Sequence, residues 1–477
     1  MNLPTKIRYR RYEDWSDEEK QNIQKKVSAS PWHAIYHVEP RTGLLNDPNG
    51  FCFFDGRYHL FYQNWPFGPA HGLKSWVDTV SDDLVHFTET GIKLLPDHKN
   101  DFQGAYTGSA VQIGDRLFIM YTGNVRDENW VRHPKQVGAW MDKDGKIEKF
   151  EDVLIEQPKD VTEHFRDPML FQVDGQLFVI IGAQSLDKKG FTKIYRAQDN
   201  DVHHWVEVGN LDDGGLRTEY MDECPNLLFV DGHPVLIYSP QGLDQKELQY
   251  RNIYPNAYRI CKAFDTKKPA LIEPSEIRNF DYGFETYATQ GFNAPNGKVY
   301  AVSWIGLPDI DSPTDAYDYQ GAMTLVKELS VKDGKLIQYP VPAMKTLRKA
   351  EHPFASVSET SNAYELELKI PAEETAVFNL FDDGQNGLRI TVDPKAGALT
   401  VDRSQIGEQY ALEYGTSRTC PLAHEETTLN IFVDRSIFEI YVNKGEAALT
   451  GRVFPTKGQS GIRVLSGTVA GTRFDFK

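Results

Sequence analysis

Gly43-Leu44-Leu45-Asn46-Asp47-Pro48-Asn49-Gly50-Phe51-Cys52-Phe53-Phe54-Asp55-Gly56 is the stretch whose reading decides the fold. Its centre, Asn46-Asp47-Pro48-Asn49-Gly50, holds the residue types a turn needs, and alone it predicts only a turn. The apolar run Phe51 to Phe54 then leads into Asp55-Gly56, and a second run, Tyr58-His59-Leu60-Phe61-Tyr62, comes back. An Asp-Gly pair between two such runs predicts a β-hairpin.

The same phrase recurs down the chain. Five hairpin turns line up: Asp55-Gly56, Gly114-Asp115, Asp174-Gly175, Asp231-Gly232 and Asn296-Gly297, with starts 59, 60, 57 and 65 residues apart. Each is followed by a β-rich run, such as Leu117-Phe118-Ile119-Met120-Tyr121 or Leu177-Phe178-Val179-Ile180-Ile181. A period near 60 in a strand-rich chain predicts radial repetition with one four-stranded sheet per unit, hence a five-bladed β-propeller. The alternative is a β-sandwich with accidental spacing. The regularity over five turns weighs against it.

In this repeat frame Asp47, Thr107, Asp167, Glu223 and Tyr287 fall seven to nine residues ahead of their turns. Rotation about a propeller axis brings equivalent positions together at one end of the central channel. Three carboxylates from three blades then form an acidic pocket. Paired carboxylates are the apparatus of glycoside hydrolysis, with oxygens ~5–5.5 Å apart when configuration is retained. Like charges that close cannot all ionise freely, so a carboxyl pKa is pushed up. A divalent metal site is the competing reading, since oxygen-rich clusters also bind calcium. Arg166 beside Asp167 argues against metal, because a guanidinium there balances negative charge and keeps Asp167 ionised. No metal and no cofactor are expected.

The chain has 477 residues, enough for two cored domains. Hydrophobic residues make up 40% and aromatic residues 12%, which excludes a disordered protein. A net charge of −16 argues against a nucleic-acid partner. Cys52, Cys224, Cys261 and Cys420 are scattered, with no CxxC spacing, so neither zinc nor a disulfide framework is expected. Cys224 reads as a small buried filler. The stretch Met1 to Arg11 is polar and basic, unlike a signal peptide, no run reaches the ~20 apolar residues of a membrane span, and there is no Asn-x-Ser/Thr sequon. These features predict a cytoplasmic protein with no membrane partner.

Residues 1–33 read as an N-terminal extension with a short polar helix from Asp14 to Val27, opened by Ser16-Asp17-Glu18-Glu19. His33 and His37 read as packed structural groups. Residues 34–340 read as the propeller and 341–354 as a linker. From about 355 the strands leave the 60-residue period; Tyr364-Glu365-Leu366-Glu367-Leu368 and Phe438-Glu439-Ile440-Tyr441-Val442 alternate, which predicts an antiparallel β-sandwich over 355–477. Asp434-Arg435-Ser436 there reads as a turn.

With those residues in hand, the chain resembles the β-fructofuranosidases of glycoside hydrolase family 32. The resemblance runs from about Tyr36 to Lys477. It rests on Asn46-Asp47-Pro48-Asn49-Gly50, Phe61-Tyr62-Gln63, Tyr106-Thr107-Gly108-Ser109, Arg166-Asp167-Pro168, Glu223-Cys224-Pro225 and Phe432-Val433-Asp434-Arg435-Ser436. It implies a five-bladed propeller plus a C-terminal β-sandwich, in agreement with the repeat. It also implies roles: Asp47 as nucleophile, Glu223 as acid/base and Asp167 as transition-state stabiliser, with Asn46, Gln63, Tyr106, Thr107, Arg166, Tyr287 and Trp304 contacting sugar.

The family pattern is broken at His71-Gly72, Asp78, Glu285-Thr286 and Val326-Lys327. The first of these leans toward the family's sucrose-6-phosphate hydrolases and away from its invertases. The expected reaction is retaining hydrolysis of sucrose or sucrose 6-phosphate; short-fructan hydrolysis, fructosyl transfer and sugar binding without catalysis are the alternatives. A phosphate would need cations at the channel rim. Arg132, His133 and Lys135 are the candidates, and an exposed basic loop is the equal alternative.

Overall fold

The computed structural model describes residues 3–476. Five sheets follow one another in chain order, each with four antiparallel strands built from neighbouring hairpins; a short fifth strand joins the first (Tyr319–Gln320) and the last (Ala322–Met323). Their inner strands are Gly43–Phe54, Ala105–Ile113, Val161–Val173, Met221–Val230 and Tyr287–Asn293. The expected two-residue turns sit at the ends of the first four, pairing Phe54 with Arg57, Ile113 with Arg116, Val173 with Gln176 and Val230 with His233. Asp55, Gly114, Asp174 and Asp231 have positive φ, as such turns require. The fifth hairpin is longer, with Asn293 opposite Val299. The expectation of a five-bladed propeller is borne out.

Blades pack face to face through apolar layers. Phe54, Phe61 and Trp76 of the first meet Leu117, Ile119 and Tyr121 of the second, all nearly inaccessible to water. Phe118, Met120 and Phe165 form the next layer with Val179 and Ile181. The short strand Tyr319–Gln320 of the last repeat runs parallel to Gly43 and Leu44 and closes the ring.

The second domain is a sandwich of a six-stranded and a five-stranded sheet around its own core of Leu366, Phe378, Leu380, Ile390, Ile431 and Ile440. The expected linker 341–354 is not featureless. It holds a 3-10 helix, Pro342–Leu347, and the strand Ala350–Pro353, which joins the edge of the six-stranded sheet by pairing with Ala470–Asp475.

The sandwich is locked to the propeller by buried polar groups. Asp434 accepts from the backbone N–H groups of Ile35, Tyr36 and His37, so the Asp-Arg-Ser turn also ties the two domains. The His37 ring lies between Asp434 Oδ2 and Glu439 Oε1, 2.9 Å from each. Glu285 bonds Arg403 and the backbone of Arg452.

In the extension, the helix spans Asp17–Ser28. Ser16 and Glu19 form a reciprocal capping box, which explains the start. The residues before it pack against the first blade. Leu73 N–H donates to Arg8 O, and Trp15 packs with Trp65 and Leu73, so this segment is fastened across the mouth of the first blade.

Candidate active site

All five inner strands carry the same irregularity. Pairing jumps between Leu45 and Pro48, Ala105 and Gly108, Arg166 and Met169, Glu223 and Asn226, and Tyr287 and Gln290. In each, two residues oppose one on the partner strand, which is a β-bulge. Such a bulge re-aims side chains. In three blades its first residue takes the left-handed conformation: Asp167 (φ 67°), Cys224 (φ 47°) and Ala288 (φ 52°). Left-handed backbone is costly for non-glycine residues, and repetition at one level of the propeller marks it as built in.

The bulge sorts the site residues into two layers. Arg166, Glu223 and Tyr287 sit just ahead of their bulges and converge. Arg166 Nε and Nη2 donate to Glu223 Oε1 at 3.0 and 2.6 Å. The Tyr287 hydroxyl donates to Glu223 Oε2, as does Gln241 Nε2 at 2.9 Å. Asp47, Thr107, Asp167 and Cys224 lie within the bulges and form the second group. Thr107 Oγ1 donates to Asp47 Oδ2 at 2.6 Å, and Asn46 Nδ2 to Asp47 Oδ1 at 3.2 Å. Asp167 Oδ2 accepts from Cys224 N–H at 2.9 Å. Cys224 Sγ lies 3.5 Å from an oxygen of both Asp47 and Asp167. It is buried, as expected, but it bridges the two carboxyls instead of merely filling space.

Arg166 therefore pairs with Glu223 and with His164 Nδ1 (2.8 Å), and the expected pairing with Asp167 is not made. Strand geometry is the reason: neighbours in sequence point to opposite sides. Burial pushes the Asp167 carboxyl up to about 7, against the lowering effect of the Arg166 charge; the charges of Glu223 and Asp47 add to the rise. Asp47 is also raised. Burial is the main cause, the Thr107 hydrogen bond opposes it, and the Glu223 charge reinforces it.

These groups line one cavity of about 330 Å³. Asn46, Gln63, Tyr106, Thr107, Arg166, Tyr287 and Trp304 all stand on its wall with the three carboxyls. Asn46 Nδ2 also donates to Gln63 Oε1, and the Tyr106 hydroxyl accepts from Asn124 Nδ2 at 3.0 Å. Trp304 stands edge-on to Tyr287, ring centroids 6.3 Å apart.

Of the three cationic candidates only Arg132 faces the cavity. His133 is exposed and bonds Asp127 Oδ2, and Lys135 shares its side of the strand Arg132–Met141, opposite to Arg132. Arg8, Tyr9, Lys74, Arg126 and Gln241 also line the cavity and were missed in the sequence; His71, singled out there as a break in the family pattern, and Trp130, in the same loop as the candidate cations, stand on the wall with them. Arg8 and Tyr9 come from the distant N-terminal segment, where no local pattern marks them. Lys74, a lone cation next to Ser75-Trp76, was the legible signal.

Atoms of Asp47, Asp167 and Cys224 that could ligate a metal lie within 4.8 Å of one another. The donor set suits a metal poorly. The Cys224 thiol is pushed well above its usual range by burial and by Asp167 and Asp47, and the carboxylate oxygens already accept hydrogen bonds. Among the described residues no helix is long and apolar enough to cross a membrane.

Comparison with known proteins gives one answer over the whole chain. The profile of the glycosyl hydrolases family 32 N-terminal domain matches residues 37–340, and that of the family's C-terminal domain matches 340–476. The chain is 62% identical over 478 residues to a sucrose-6-phosphate hydrolase of Streptococcus mutans, covering 100% of both chains. It superposes on the structure of sucrose-6-phosphate hydrolase from Lactobacillus gasseri with a TM-score of 0.96 at 41% identity, covering 100% of this chain and 99% of that one. A mutant of a Bombyx mori GH32 beta-fructofuranosidase, in complex with sucrose, gives a TM-score of 0.83 at 25% identity, covering 96% and 97%. The chain belongs to glycosyl hydrolases family 32.

Proposed function

We propose that the protein hydrolyses the β-fructofuranosyl bond of sucrose 6-phosphate in preference to that of sucrose, with retention of configuration. In this reading a carboxylate oxygen of Asp47 attacks the anomeric carbon of the fructosyl unit. Glu223 gives its proton to the glycosidic oxygen, and the glucosyl part leaves. An ester links fructose to Asp47. Glu223 then takes a proton from water, whose oxygen attacks the same carbon and frees Asp47. Asp167 accepts hydrogen bonds from fructosyl hydroxyls. Arg166, Gln241 and Tyr287 hold Glu223 in direction through both of its oxygens.

The observation that supports the phosphate is the cation content of the outer cavity. Arg8, Arg126 and Arg132 stand on its wall with Tyr9, Tyr106 and Trp130, and none of the three makes an ion pair with a carboxylate among the described residues. Burial lowers the pKa of Arg132, and the charges of Arg166 and Arg126 lower it further. A bound phosphate dianion relieves both effects and accepts in the fork geometry that guanidinium groups offer. A phosphorylated sugar does not cross a membrane unaided, so this reading goes with a cytoplasmic enzyme that meets the sugar where it is retained.

The test is kcat/KM for sucrose 6-phosphate against sucrose on one preparation. The expected preference is tenfold or more, ~1.4 kcal/mol. Arg132→Gln and Arg126→Gln should each erode it while leaving sucrose turnover nearly unchanged. Equal values for the two sugars would return the arginines to plain cavity wall.

A further inference from the structure

Lys74 is a cation in an unusual place. It is only 2% exposed, yet it stands on the wall of the same cavity as Asp47. Its backbone is pinned on both sides: Ala105 N–H donates to Lys74 O at 2.9 Å, and Leu73 N–H donates to Arg8 O at 2.7 Å. The backbone just ahead of the strand Ser75–Ser81 is thus held on both sides, which aims the side chain. Nζ donates to Asn46 Oδ1 at 2.6 Å.

That contact decides which way the Asn46 amide faces. Below about pH 7, the value to which burial lowers Lys74, the group is an ammonium with donors and no acceptor, so the amide atom facing it must be the oxygen. The amide nitrogen then points the other way, to Gln63 Oε1 and to Asp47 Oδ1. Turned over, Asn46 would set its oxygen against the Asp47 carboxylate and its N–H groups against the ammonium. Both contacts would be repulsive in a buried site. The Lys74 charge also acts on Asp47 directly. Burial raises the Asp47 pKa, whereas the Asn46 hydrogen bond and the Lys74 charge both lower it. Holding a buried cation there is costly, as the lowering of Lys74 itself to about 7 by desolvation shows.

We propose that Lys74 is a positioning residue: acting through Asn46, it keeps an amide N–H on Asp47 Oδ1 and so fixes the attacking carboxylate in direction and charge. The proposal rests on the reading of Asp47 as nucleophile. It assigns Lys74 to the fructosyl end of the reaction and not to the phosphate.

The experiment measures kcat and KM for Lys74→Met and Lys74→Gln, each alone and combined with Asn46→Ala, on sucrose and on sucrose 6-phosphate. Asp47→Ala runs in parallel, and thermal midpoints report folding. Lys74→Met should lower kcat about tenfold or more, by the same factor on both sugars, with KM little changed. Lys74→Gln, which keeps a neutral N–H donor, should recover part of the loss. In the Asn46→Ala background the effect of Lys74→Met should fall well below its effect in the wild type, because most of it runs through Asn46 and only the direct action of the Lys74 charge on Asp47 remains. Additive losses in the two backgrounds, or a loss confined to sucrose 6-phosphate or to KM, would overturn the proposal. If Lys74→Met does not fold, Lys74→Gln carries the same comparison. Turnover surviving in Asp47→Ala would sink the underlying reading. An inactive Asp47→Ala beside a Lys74→Met enzyme of full activity would sink only this inference.

Discussion

Arg166 shows what residue types alone could and could not tell. The pocket's membership was legible: three carboxyls in one repeat frame, each beside a turn-forming or small residue. The pairing within it was not. Arg166 adjoins Asp167 in sequence, yet it serves Glu223, 57 positions away. Adjacent residues on a strand diverge, and only the fold brings the partner from the next blade into reach. The charge balance was misjudged for the same reason. Asp167 is surrounded by other acids and by burial, so it sits near 7 despite the guanidinium next to it. A carboxyl raised in this way is protonated below about pH 7 and charged above it. Asp167 and Asp47 interact, so they titrate as a set. The acid limb of kcat/KM for sucrose should therefore fall near pH 7, with activity lost as pH drops through it. A pH–rate profile that stays flat down to the ordinary carboxylate range, around pH 4, would contradict this electrostatic picture.

At the scale of the element, the bulge organises the site. The turns after each inner strand could be read from Asp-Gly and Gly-Asp pairs, because their chemistry is local. The bulges could not, since proline and small residues at Asp47-Pro48, Asp167-Pro168 and Cys224-Pro225 are also what an ordinary turn would use. The sequence spacing therefore placed Asp47, Asp167 and Glu223 at one level. The pairing places Glu223 one residue earlier than Asp167, with Arg166 and Tyr287 as its counterparts. That offset separates the three carboxyls into two layers: one opposite Arg166 and Tyr287, the other against Thr107 and Cys224. The basic strand Arg132–Met141 follows the same period of two, which leaves Arg132 facing inward and His133 outward. The N-terminal segment was legible as a capped helix through Ser16 and Glu19. Its part in the cavity, through Arg8 and Tyr9, depends on docking against Leu73 and Trp65, which no local pattern encodes.

At the scale of the whole molecule, the sandwich is tied to the propeller by a buried triad. His37 lies between Asp434 and Glu439, with all three side chains shielded from water. Burial alone would lower the His37 pKa. The hydrogen bonds and charges of the two carboxylates outweigh it and raise the group to about 9. A histidine raised on folding contributes stability that is fully present below its unfolded value of about 6.5 and is lost as pH rises through the folded one. The urea midpoint should therefore decline between about pH 6.5 and 9 in the wild type. His37→Ala should cost about 3–5 kcal/mol, since it leaves two buried carboxylates unpaired. A wild-type midpoint independent of pH over that window, or a His37→Ala loss under about 1 kcal/mol, would mean that the triad does not hold the domains together. The boundary itself was visible in the sequence as a change of strand period after residue 340. The triad was not, because His37 and Asp434 are 397 positions apart.

The central claim is that Asp47 carries the fructosyl group. The most direct test uses Glu223→Gln with β-fructofuranosyl fluoride, whose leaving group needs no proton. The first step then proceeds and the second lacks its base, so the intermediate accumulates. Mass spectrometry of the acid-quenched, digested protein should find one hexosyl unit on the peptide that contains Asp47. Fluoride release with no adduct, or an adduct on the peptide that contains Asp167, would contradict the account.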